Sequence, residues 1–327
     1  MKPNFQFTLR IIVRLMLLLY FQICIIKKIN LHTKINFLET LANASKWQRF
    51  LYNPFKYVFG IVYRDLFYNL FKKGILVNTK TFFEKEMKII LPASLDIYLL
   101  ECKTHSSEIR LTKYLINELK KGDVVFDVGT HFGFYTLLTS ELVSESGEVY
   151  AFEPSKNTFK VFSENIKNIR NIQAHNLAVG NNLCDIEFYE FPVLFSEYNS
   201  INKEQYKSRD WFNKYGPEKI KVNQTTISTF CDKQSIIPKL IKIDVEGNEF
   251  SVLEGASEFL KNNNSIIVME YVVSNESNYR LATELLTKLN YIPSFINSDG
   301  ELYNVSDIES ELININSDSE NVVFIKN

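Results

Sequence analysis

Hydrophobic and polar positions follow different patterns before and after Gly122. Beyond that glycine, short apolar runs alternate with segments whose apolar residues recur at helical spacing. This alternation predicts an α/β fold in which helices cover both faces of a mostly parallel sheet. The predicted strands are 124–129, 148–154, 172–180, 240–247, 265–272, 292–297 and the C-terminal run "NVVFIKN". The predicted helices are 134–143, 156–168, 248–261 and 278–289.

The pattern before residue 86 is helical, aromatic and basic. In "WQRFLYNPFKYVFGIVYRDLFYNLFKK", Pro54 and Gly60 interrupt the helical spacing, which favours two or three helices over a single one. A later stretch, "SSEIRLTKYLINELKKG", has apolar residues at helical spacing between capping serines and a terminating glycine. We therefore divide the chain into an α-helical N-terminal region, 1–85, and an α/β domain, 86–327.

A separate apolar run, "IIVRLMLLLYFQICII", occupies residues 11–26 and is interrupted by Arg14 and Gln22. As a helix it would span roughly 24 Å, less than the roughly 30 Å hydrocarbon core of a bilayer. Two interpretations stay open: a helix packed against the rest of the protein, and a peripheral segment at the membrane surface. No small-residue cleavage site follows, so a signal peptide is not expected. We expect a cytoplasmic protein, with membrane association through this run as the open question.

Composition narrows the choice of partners and cofactors. The formal net charge of −1 carries no basic excess, so it does not favour nucleic acid as a partner. The four cysteines stand far apart without a CxxC pair, which argues against a zinc site or a disulfide framework and fits a reducing compartment. The histidines are scattered along the chain as His32, His105, His131 and His175. We expect no metal site, although Asp244 and Glu246 could bind Mg²⁺.

A glycine turn in "DVVFDVGTHFGFYTLL" is the first candidate binding site, with Asp127, Gly129 and Gly133 between a strand and a helix. Its DxGxxxG spacing differs from the GxGxxG of dinucleotide sites, and an aspartate there would repel a pyrophosphate. The next strand ends in Glu153 and Pro154, where two carboxylate oxygens can accept from the vicinal hydroxyls of a ribose. A cationic adenosyl ligand fits both features, which points to S-adenosylmethionine.

The second candidate site lies in "LIKIDVEGNEFSVLEGA", where Lys242, Asp244 and Glu246 recur at period two on a strand that should be apolar. Buried charges must pair with each other, meet a ligand or lie at the open end of the strand. The topology places Asp244 across the crevice from Asp127, where an acceptor would approach. Asp244 would then act as a base or orient the acceptor, with Glu246 as the alternative base. A purely structural Lys242–Asp244 pair with a helix N-cap is the competing interpretation.

An insertion of about sixty residues separates the third and fourth predicted strands. It contains a hairpin strand, "DIEFYEF", and then a polar, aromatic stretch. Such an excursion usually covers the site at the carboxyl ends of the strands. Its aromatic and amide side chains would suit a sugar, and an ordinary surface loop is the alternative. The side chains in question are Tyr198, Asn199, Tyr206, Trp211 and Tyr215.

The order of these motifs resembles a known family. "GDVVFDVGTHFGFYTLL", "GEVYAFEPSKNTFKVFSENIKN", "NLAVG", "TTISTF" and "LIKIDVEGNEFSVLEGA" look like those of an FkbM-type S-adenosylmethionine-dependent methyltransferase, over roughly residues 90–327. The resemblance implies the Rossmann-like class I methyltransferase fold, with a seven-stranded sheet whose last strand is antiparallel. It also implies methyl transfer, most plausibly to a hydroxyl of a sugar, a glycan or a lipid-linked saccharide. An amine or carboxylate acceptor, and a non-catalytic membrane-associated module of the same fold, are the alternatives.

The resemblance also implies roles for individual residues. The second strand's Glu153 matches the ribose-binding acid, and 176–179, which includes Ala178, falls where backbone approaches adenine. At Thr130 and His131 the chain departs from the family's more frequent Ala-Asn. The cofactor loop is matched by Asp127, Gly129, Gly133 and Tyr135, and the acceptor-side motif by Asp244, Glu246 and Gly247.

Overall fold

The computed structural model describes residues 27–207, 209, 211–273 and 278–326. The apolar run 11–26 lies outside these residues, so its two interpretations stay open. Within the described ranges, no helix is both long and apolar enough to cross a membrane.

The chain enters the described region through a series of helices: α1 (27–42), α2 (Lys46–Tyr52), α3 (Pro54–Val62), a π-helical turn (Tyr63–Phe67) and α4 (Tyr68–Phe71). The break predicted at Pro54 is confirmed, because Asn53 caps α3 and the proline occupies its first turn. Gly60 does not break the helix as predicted. It lies within α3, where a Cβ would come 2.8 Å from the Leu95 side chain, so the glycine serves helix packing.

An antiparallel hairpin follows the helices, although the region up to residue 85 was predicted to be helical. Its strands are β1 (Ile75–Lys80) and β2 (Glu86–Leu91). Strand β1 alternates between exposed and less exposed residues, but six residues are too few for this period to stand out in the sequence. After the hairpin come α5 (Leu95–Leu100) and α6 (Ser106–Glu118), the latter starting at the predicted serine.

The main sheet has eight strands in the order β12-β11-β13-β10-β9-β3-β4-β5. Strand β13 pairs antiparallel with both of its neighbours, and the strands from β10 to β5 are parallel to one another. The α/β, Rossmann-like class I methyltransferase fold with an antiparallel last strand is therefore confirmed. The strands are β3 (Val124–Val128), β4 (Glu148–Phe152), β5 (Ile172–His175), β9 (Leu240–Ile243), β10 (Ile266–Val272), β11 (Tyr291–Ile296), β12 (Leu302–Asn304) and β13 (Ser319–Lys326).

Two details differ from the prediction. The sheet has eight strands where seven were expected, because the three-residue β12 at its edge is too short to give a sequence pattern. The predicted strand 172–180 is divided, since β5 ends at His175 and the following residues join a second sheet. That sheet is built from β6 (Ala178–Val179), β7 (Asp185–Glu190) and β8 (Glu218–Thr225), which confirms the hairpin strand of the insertion.

Alternate residues of the central strands pack into two apolar layers, one on each face of the sheet. Val125 packs into the layer beneath α6 and α7 (Phe134–Val143), whereas Phe126 and Val128 pack into the opposite layer. On β9, Leu240 belongs to the first layer and Ile241 to the second. The remaining helices are α8 (Lys156–Ile166), α9 (Ile227–Gln234), α10 (Glu249–Asn262), α11 (Asn278–Lys288) and α12 (Ile308–Asn314).

Helix α10 packs closely against the backbone of Gly180, and this contact leads to a prediction about stability. A Cβ at Gly255 would lie 2.0 Å from the carbonyl oxygen of Gly180. Alanine normally stabilises a helix relative to glycine, but here we expect Gly255→Ala to lower the free energy of unfolding by about 1–3 kcal/mol through overpacking. Urea denaturation measures the change. Gly216→Ala is the control, since its Cβ would meet nothing nearer than 3.9 Å. Equal stability of the two variants would contradict the close approach.

Candidate active site

A cavity of about 410 Å³ opens beyond the carboxyl ends of β3, β4, β9 and β10. Ligands of open α/β sheets bind at this edge, where the strand order reverses. The 3₁₀ segment Val193–Tyr198 of the insertion forms another wall, so the predicted covering role of the insertion agrees with the geometry. Of the predicted site residues, the lining includes Gly129, His131, Glu153, Pro154, Ala178, Asp244 and Glu246.

The turn after β3 brings backbone from two strands into contact. Gly129 has a φ of +85°, and the backbone N–H groups of Gly129 and Thr130 donate to the Phe152 carbonyl at 3.0 and 3.2 Å. A Cβ on Gly129 would lie 1.8 Å from the carbonyl oxygen of Asp244. A side chain at this position would therefore force the cofactor-side and acceptor-side turns apart, so both the conformation and the contact require glycine.

Asp127 lies behind the wall of the cavity. Its side chain is 1% exposed, and its Oδ2 accepts from the Thr136 hydroxyl of α7 at 2.6 Å. Oδ1 has no hydrogen-bond partner in the described structure and lies 3.8 Å from Lys242 Nζ. Burial raises the pKa of Asp127 against the opposing effect of Lys242. Three further predicted residues are also absent from the cavity lining: Thr130, Gly133 and Tyr135.

His131 links the glycine turn to the insertion. It has a φ of +52°, its backbone N–H donates to Glu153 Oε2 at 3.0 Å, and its Nε2 lies 3.0 Å from the Ser196 hydroxyl. Burial, with a further contribution from Lys103, lowers the pKa of His131 to about 3, so the ring is neutral. A neutral imidazole adds no positive charge to the cavity.

Glu153 ends β4 and is held by backbone groups. Its Oε1 accepts from the Ser155 N–H at 2.9 Å, and the Asn176 side-chain amide donates to the Glu153 and Pro154 carbonyls at 2.8 and 3.0 Å. Burial raises the pKa of Glu153 to about 8. Each carboxylate oxygen has two acceptor positions, so the backbone bonds leave capacity for hydroxyl donors. The carboxylate is thus fixed in place and equipped to receive a diol.

On the acceptor side, Lys242 Nζ donates to Asp244 Oδ2 at 2.9 Å. Burial raises the pKa of Asp244, but the attraction of Lys242 and Lys103 outweighs it and lowers that pKa below its usual value. The structural pair considered from the sequence is therefore present. Asp244 nevertheless lines the cavity, so pairing does not remove it from a ligand's reach.

Three carboxylates meet at this end of the cavity. Oxygens of Asp244, Glu246 and Glu270 lie within 4.8 Å of one another, an arrangement that could hold a metal ion although the scattered histidines led us to expect none. Burial and then the neighbouring carboxylates raise the pKa of Glu246, which also accepts from Tyr206 Oη at 2.6 Å. Burial and then Asp244 raise the pKa of Glu270 to about 8. Glu270 was missed in the sequence, where the signal was one glutamate within the apolar "SIIVMEYV".

Lys103 and Glu108, before the recognised motifs, also reach the cavity. Their charged atoms lie 3.5 Å apart, and the Tyr135 hydroxyl donates to the Glu108 carboxylate. Lys103 Nζ and Lys242 Nζ lie 5.4 and 5.1 Å from the centre of the Tyr135 ring. Tyr135 therefore supports the charged wall from behind.

The lining is strongly acidic. Against the single lysine Lys103 stand six carboxylic side chains, from Glu108, Glu153, Glu197, Asp244, Glu246 and Glu270. Even where burial keeps some of them protonated, a cation entering this space is favoured over an anion. The fold and this site are those expected of a class I methyltransferase.

Comparison with known proteins identifies the family. Residues 127–293, slightly more than half of the chain, match the family model described as "Methyltransferase FkbM domain". The chain therefore belongs to the FkbM methyltransferase family, confirming the resemblance, and it is an S-adenosylmethionine-dependent enzyme.

Several relatives are similar to parts of this chain. A hexuronic acid methyltransferase, AglP, of Haloferax volcanii is 26% identical over 198 residues, covering 56% of this chain and 73% of that protein. "Methyltransferase 1" of Beauveria bassiana is 26% identical over 172 residues, covering 49% of this chain and 69% of that protein. The crystal structure of an FkbM methyltransferase from Methylobacillus flagellatus matches with 14% identity and a TM-score of 0.41, covering 71% of this chain. The matched part is 52% of that protein, so this chain spans about half of its length.

The buried carboxyls predict how stability depends on pH. A carboxyl whose pKa is raised in the folded state binds more protons than in the unfolded state, so stability falls as pH rises from its unfolded value near 4.5 to about 8. For the ligand-free protein we expect the free energy of unfolding to decrease over this window. In Glu270→Gln the decrease should be smaller by roughly 1–5 kcal/mol.

Urea denaturation at several pH values between these limits measures the effect. Glu258→Gln, which changes an exposed glutamate of α10, is the control and should follow the unmodified protein. If Glu270→Gln kept the full pH dependence, the protonation of Glu270 in the folded protein would be refuted.

Proposed function

We propose that this enzyme transfers a methyl group from S-adenosylmethionine to a hydroxyl of a saccharide, as a free sugar, a glycan or a lipid-linked saccharide. The observation that carries the proposal is the meeting, in one cavity, of the Glu153 carboxylate with the cluster of Asp244, Glu246 and Glu270. The first suits an adenosyl cofactor and the second suits removal of a hydroxyl proton. The cytoplasm is the proposed location, and peripheral membrane contact through residues 11–26 stays a prediction.

The cofactor side fits the group it would hold. Gly129 leaves room for close backbone approach, and Glu153 would accept from the ribose hydroxyls. His131, Pro154 and Ala178 would form the walls around the nucleoside. When bound, S-adenosylmethionine supplies an electrophilic methyl group on a sulfonium centre. Behind the wall, four residues would shape the loop without touching the cofactor: Asp127, Thr130, Gly133 and Tyr135.

The acceptor side would divide its work among the three carboxylates. Methyl transfer to a hydroxyl needs in-line alignment and removal of the hydroxyl proton. Asp244 is ionised and paired with Lys242, so it is a weak base and is better suited to orienting the acceptor. The pKa values of Glu246 and Glu270 are raised, so each carboxylate binds a proton more tightly than an ordinary glutamate and is a stronger base. We assign proton removal to this pair.

A saccharide acceptor is supported by the aromatic insertion. Tyr198 lines the cavity, the Phe195 and Trp211 rings stack with centroids 4.2 Å apart, and Tyr206 bonds Glu246. Flat aromatic faces pack well against the C–H faces of sugar rings. The similarity to a hexuronic acid methyltransferase also supports a saccharide acceptor.

An amine acceptor is the second candidate, and the acidic lining favours it over a carboxylate acceptor. An ammonium group would be attracted by the cluster and would lose its proton to it before transfer. A carboxylate acceptor would meet repulsion from the same groups. Hydroxyl and amine acceptors therefore both belong in a substrate screen.

Calorimetric titration with S-adenosylmethionine tests the cofactor side. We expect Glu153→Gln to weaken binding by about 10- to 100-fold, because the neutral amide is a poorer acceptor for the ribose hydroxyls and disturbs its backbone bonds. Glu187→Gln, an exposed change on β7, is the control. An unchanged dissociation constant in Glu153→Gln would remove the proposed ribose contact.

Turnover measurements on a panel of neutral sugars, hexuronic acids and amines test the acceptor side. We expect Glu246→Gln or Glu270→Gln to lower kcat by about 10²- to 10⁴-fold for a hydroxyl acceptor while the affinity for S-adenosylmethionine changes little. In Asp244→Asn the KM for the acceptor should rise more than kcat falls. The assignment fails if both glutamine variants retain full turnover and an unchanged pH profile.

A further inference from the structure

Residues 54–71 form a helical segment that leaves most of its surface uncovered. It consists of α3, the π-helical turn and α4, all within the described part of the chain. Gly60 and Tyr68 are its buried residues, and they face the rest of the protein. Few helices of a folded domain expose so many large apolar side chains together, and a patch of this kind marks an interaction surface.

Two parallel rows of side chains run along the segment at a spacing of four residues, all exposed except the half-buried Tyr63. A row with this spacing drifts around an α-helix, and the π-helical turn, which has more residues per turn, rotates it back. Neighbouring rings from Phe59 to Phe71 stack with centroids 6.2 to 6.4 Å apart. The aromatic row is Phe55, Phe59, Tyr63, Phe67 and Phe71, and the aliphatic row is Val58, Val62, Leu66 and Leu70. We call this surface the apolar face.

A groove of about 770 Å³ runs along the apolar face and is lined by apolar and aromatic side chains from α2, α3, the π-helical turn and β1. The hydroxyl of Tyr63, one of the lining residues, donates to the Lys73 carbonyl at 2.6 Å. The surface therefore offers almost no hydrogen-bonding group to a protein partner, whereas hydrocarbon chains need none.

The charges around the apolar face indicate which kind of hydrocarbon surface it would contact. Between residues 46 and 73 there are six basic residues and a single acidic one, in a chain whose net charge is −1. The acidic residue, Asp65, is paired with Arg64 at 2.6 Å. Basic side chains beside an aromatic face are typical of helices that lie in the interface of an anionic bilayer. The basic residues are Lys46, Arg49, Lys56, Arg64, Lys72 and Lys73.

We propose that the apolar face of residues 54–71 docks this enzyme on the surface of an anionic lipid bilayer, with the helix lying in the plane of the interface. The proposal is argued from residues 46–73 alone and makes no use of residues 11–26.

The segment that carries the apolar face, together with the residues just after it, contacts the wall of the cavity. The Leu194 N–H, in the 3₁₀ segment that lines the cavity, donates to the Tyr68 hydroxyl at 3.3 Å. A Cβ on Gly74 would lie 2.6 Å from the Val193 side chain, and Lys72 Nζ lies 5.3 Å from the centre of the Tyr215 ring. Docking would therefore hold the 3₁₀ segment Val193–Tyr198, which forms one wall of the cavity, close to the membrane surface.

Vesicle co-sedimentation of the full chain tests the proposal, with phosphatidylcholine vesicles that contain or lack phosphatidylserine. The main variant combines Phe55→Ser, Leu66→Ser and Leu70→Ser, at side chains 53% to 89% exposed. A second variant combines Lys46→Glu with Lys73→Glu. The matched controls are Leu183→Ser with Ile237→Ser and Ile313→Ser, at side chains 59% to 77% exposed, and Lys233→Glu with Lys288→Glu. Thermal unfolding verifies that each variant folds.

We expect the unmodified protein to bind the anionic vesicles and to be released by salt. Both face variants should bind at least roughly tenfold more weakly, and both controls should bind normally. Binding by the serine variant equal to that of the unmodified protein would overturn the proposal, because residues 11–26 would then account for the binding. Failure of the unmodified protein to bind would overturn it as well. So would a concentration-dependent dimer that the serine variant abolishes, since a second copy would then cover the face.

Discussion

The buried ammonium group of Lys242 is the interaction on which the site depends. Its Nζ bonds Asp244 at 2.9 Å, lies 3.8 Å from Asp127 and lies 5.1 Å from the centre of the Tyr135 ring. Two carboxylates on adjacent central strands would repel each other in this low-dielectric interior without the cation between them. With it, the glycine turn after β3 can contact the turn after β9 through backbone, as Gly129 requires. The cofactor side and the acceptor side are thereby held in one rigid unit.

Two other carboxyls of the cavity, Glu153 and Glu270, have electrostatics dominated by burial. Glu153 and Glu270 have pKa values raised to about 8, mainly because burial disfavours their charged forms. A ligand that brings positive charge would reverse this balance and favour their ionised forms. Cofactor binding would then release protons and create the base that the proposed transfer to a hydroxyl needs. A site that becomes basic only when its cationic cofactor is bound avoids the full cost of an unliganded buried charge cluster.

Most of the fold and part of the site could be predicted from the sequence. Alternating apolar runs predict the central strands because those strands are buried on both faces, and the motif spacing predicts Gly129 and Glu153 at their ends. The hairpin of β1 and β2 and the edge strand β12 were not predicted because these strands are too short to give a clear pattern. The division of the strand at His175 was not predicted because pairing with the distant β8 decides it. Glu270 and Lys103 were missed for the same reason, since neither stands in a recognisable motif and only the tertiary fold brings them to the cavity.

The apolar residues of the N-terminal helices have a different physical role from those of the α/β domain. Each strand of the central sheet is apolar because protein covers it, whereas the helical segment 54–71 is apolar although the described part of the chain leaves most of it exposed. Exposed aromatic rings carry a risk of aggregation, which contact with a bilayer would remove. The segment also supports the 3₁₀ wall of the cavity through the Leu194–Tyr68 hydrogen bond. A bilayer contact at this place would orient the cavity toward acceptors that are themselves confined to the membrane, which links the unusual surface to a lipid-linked saccharide.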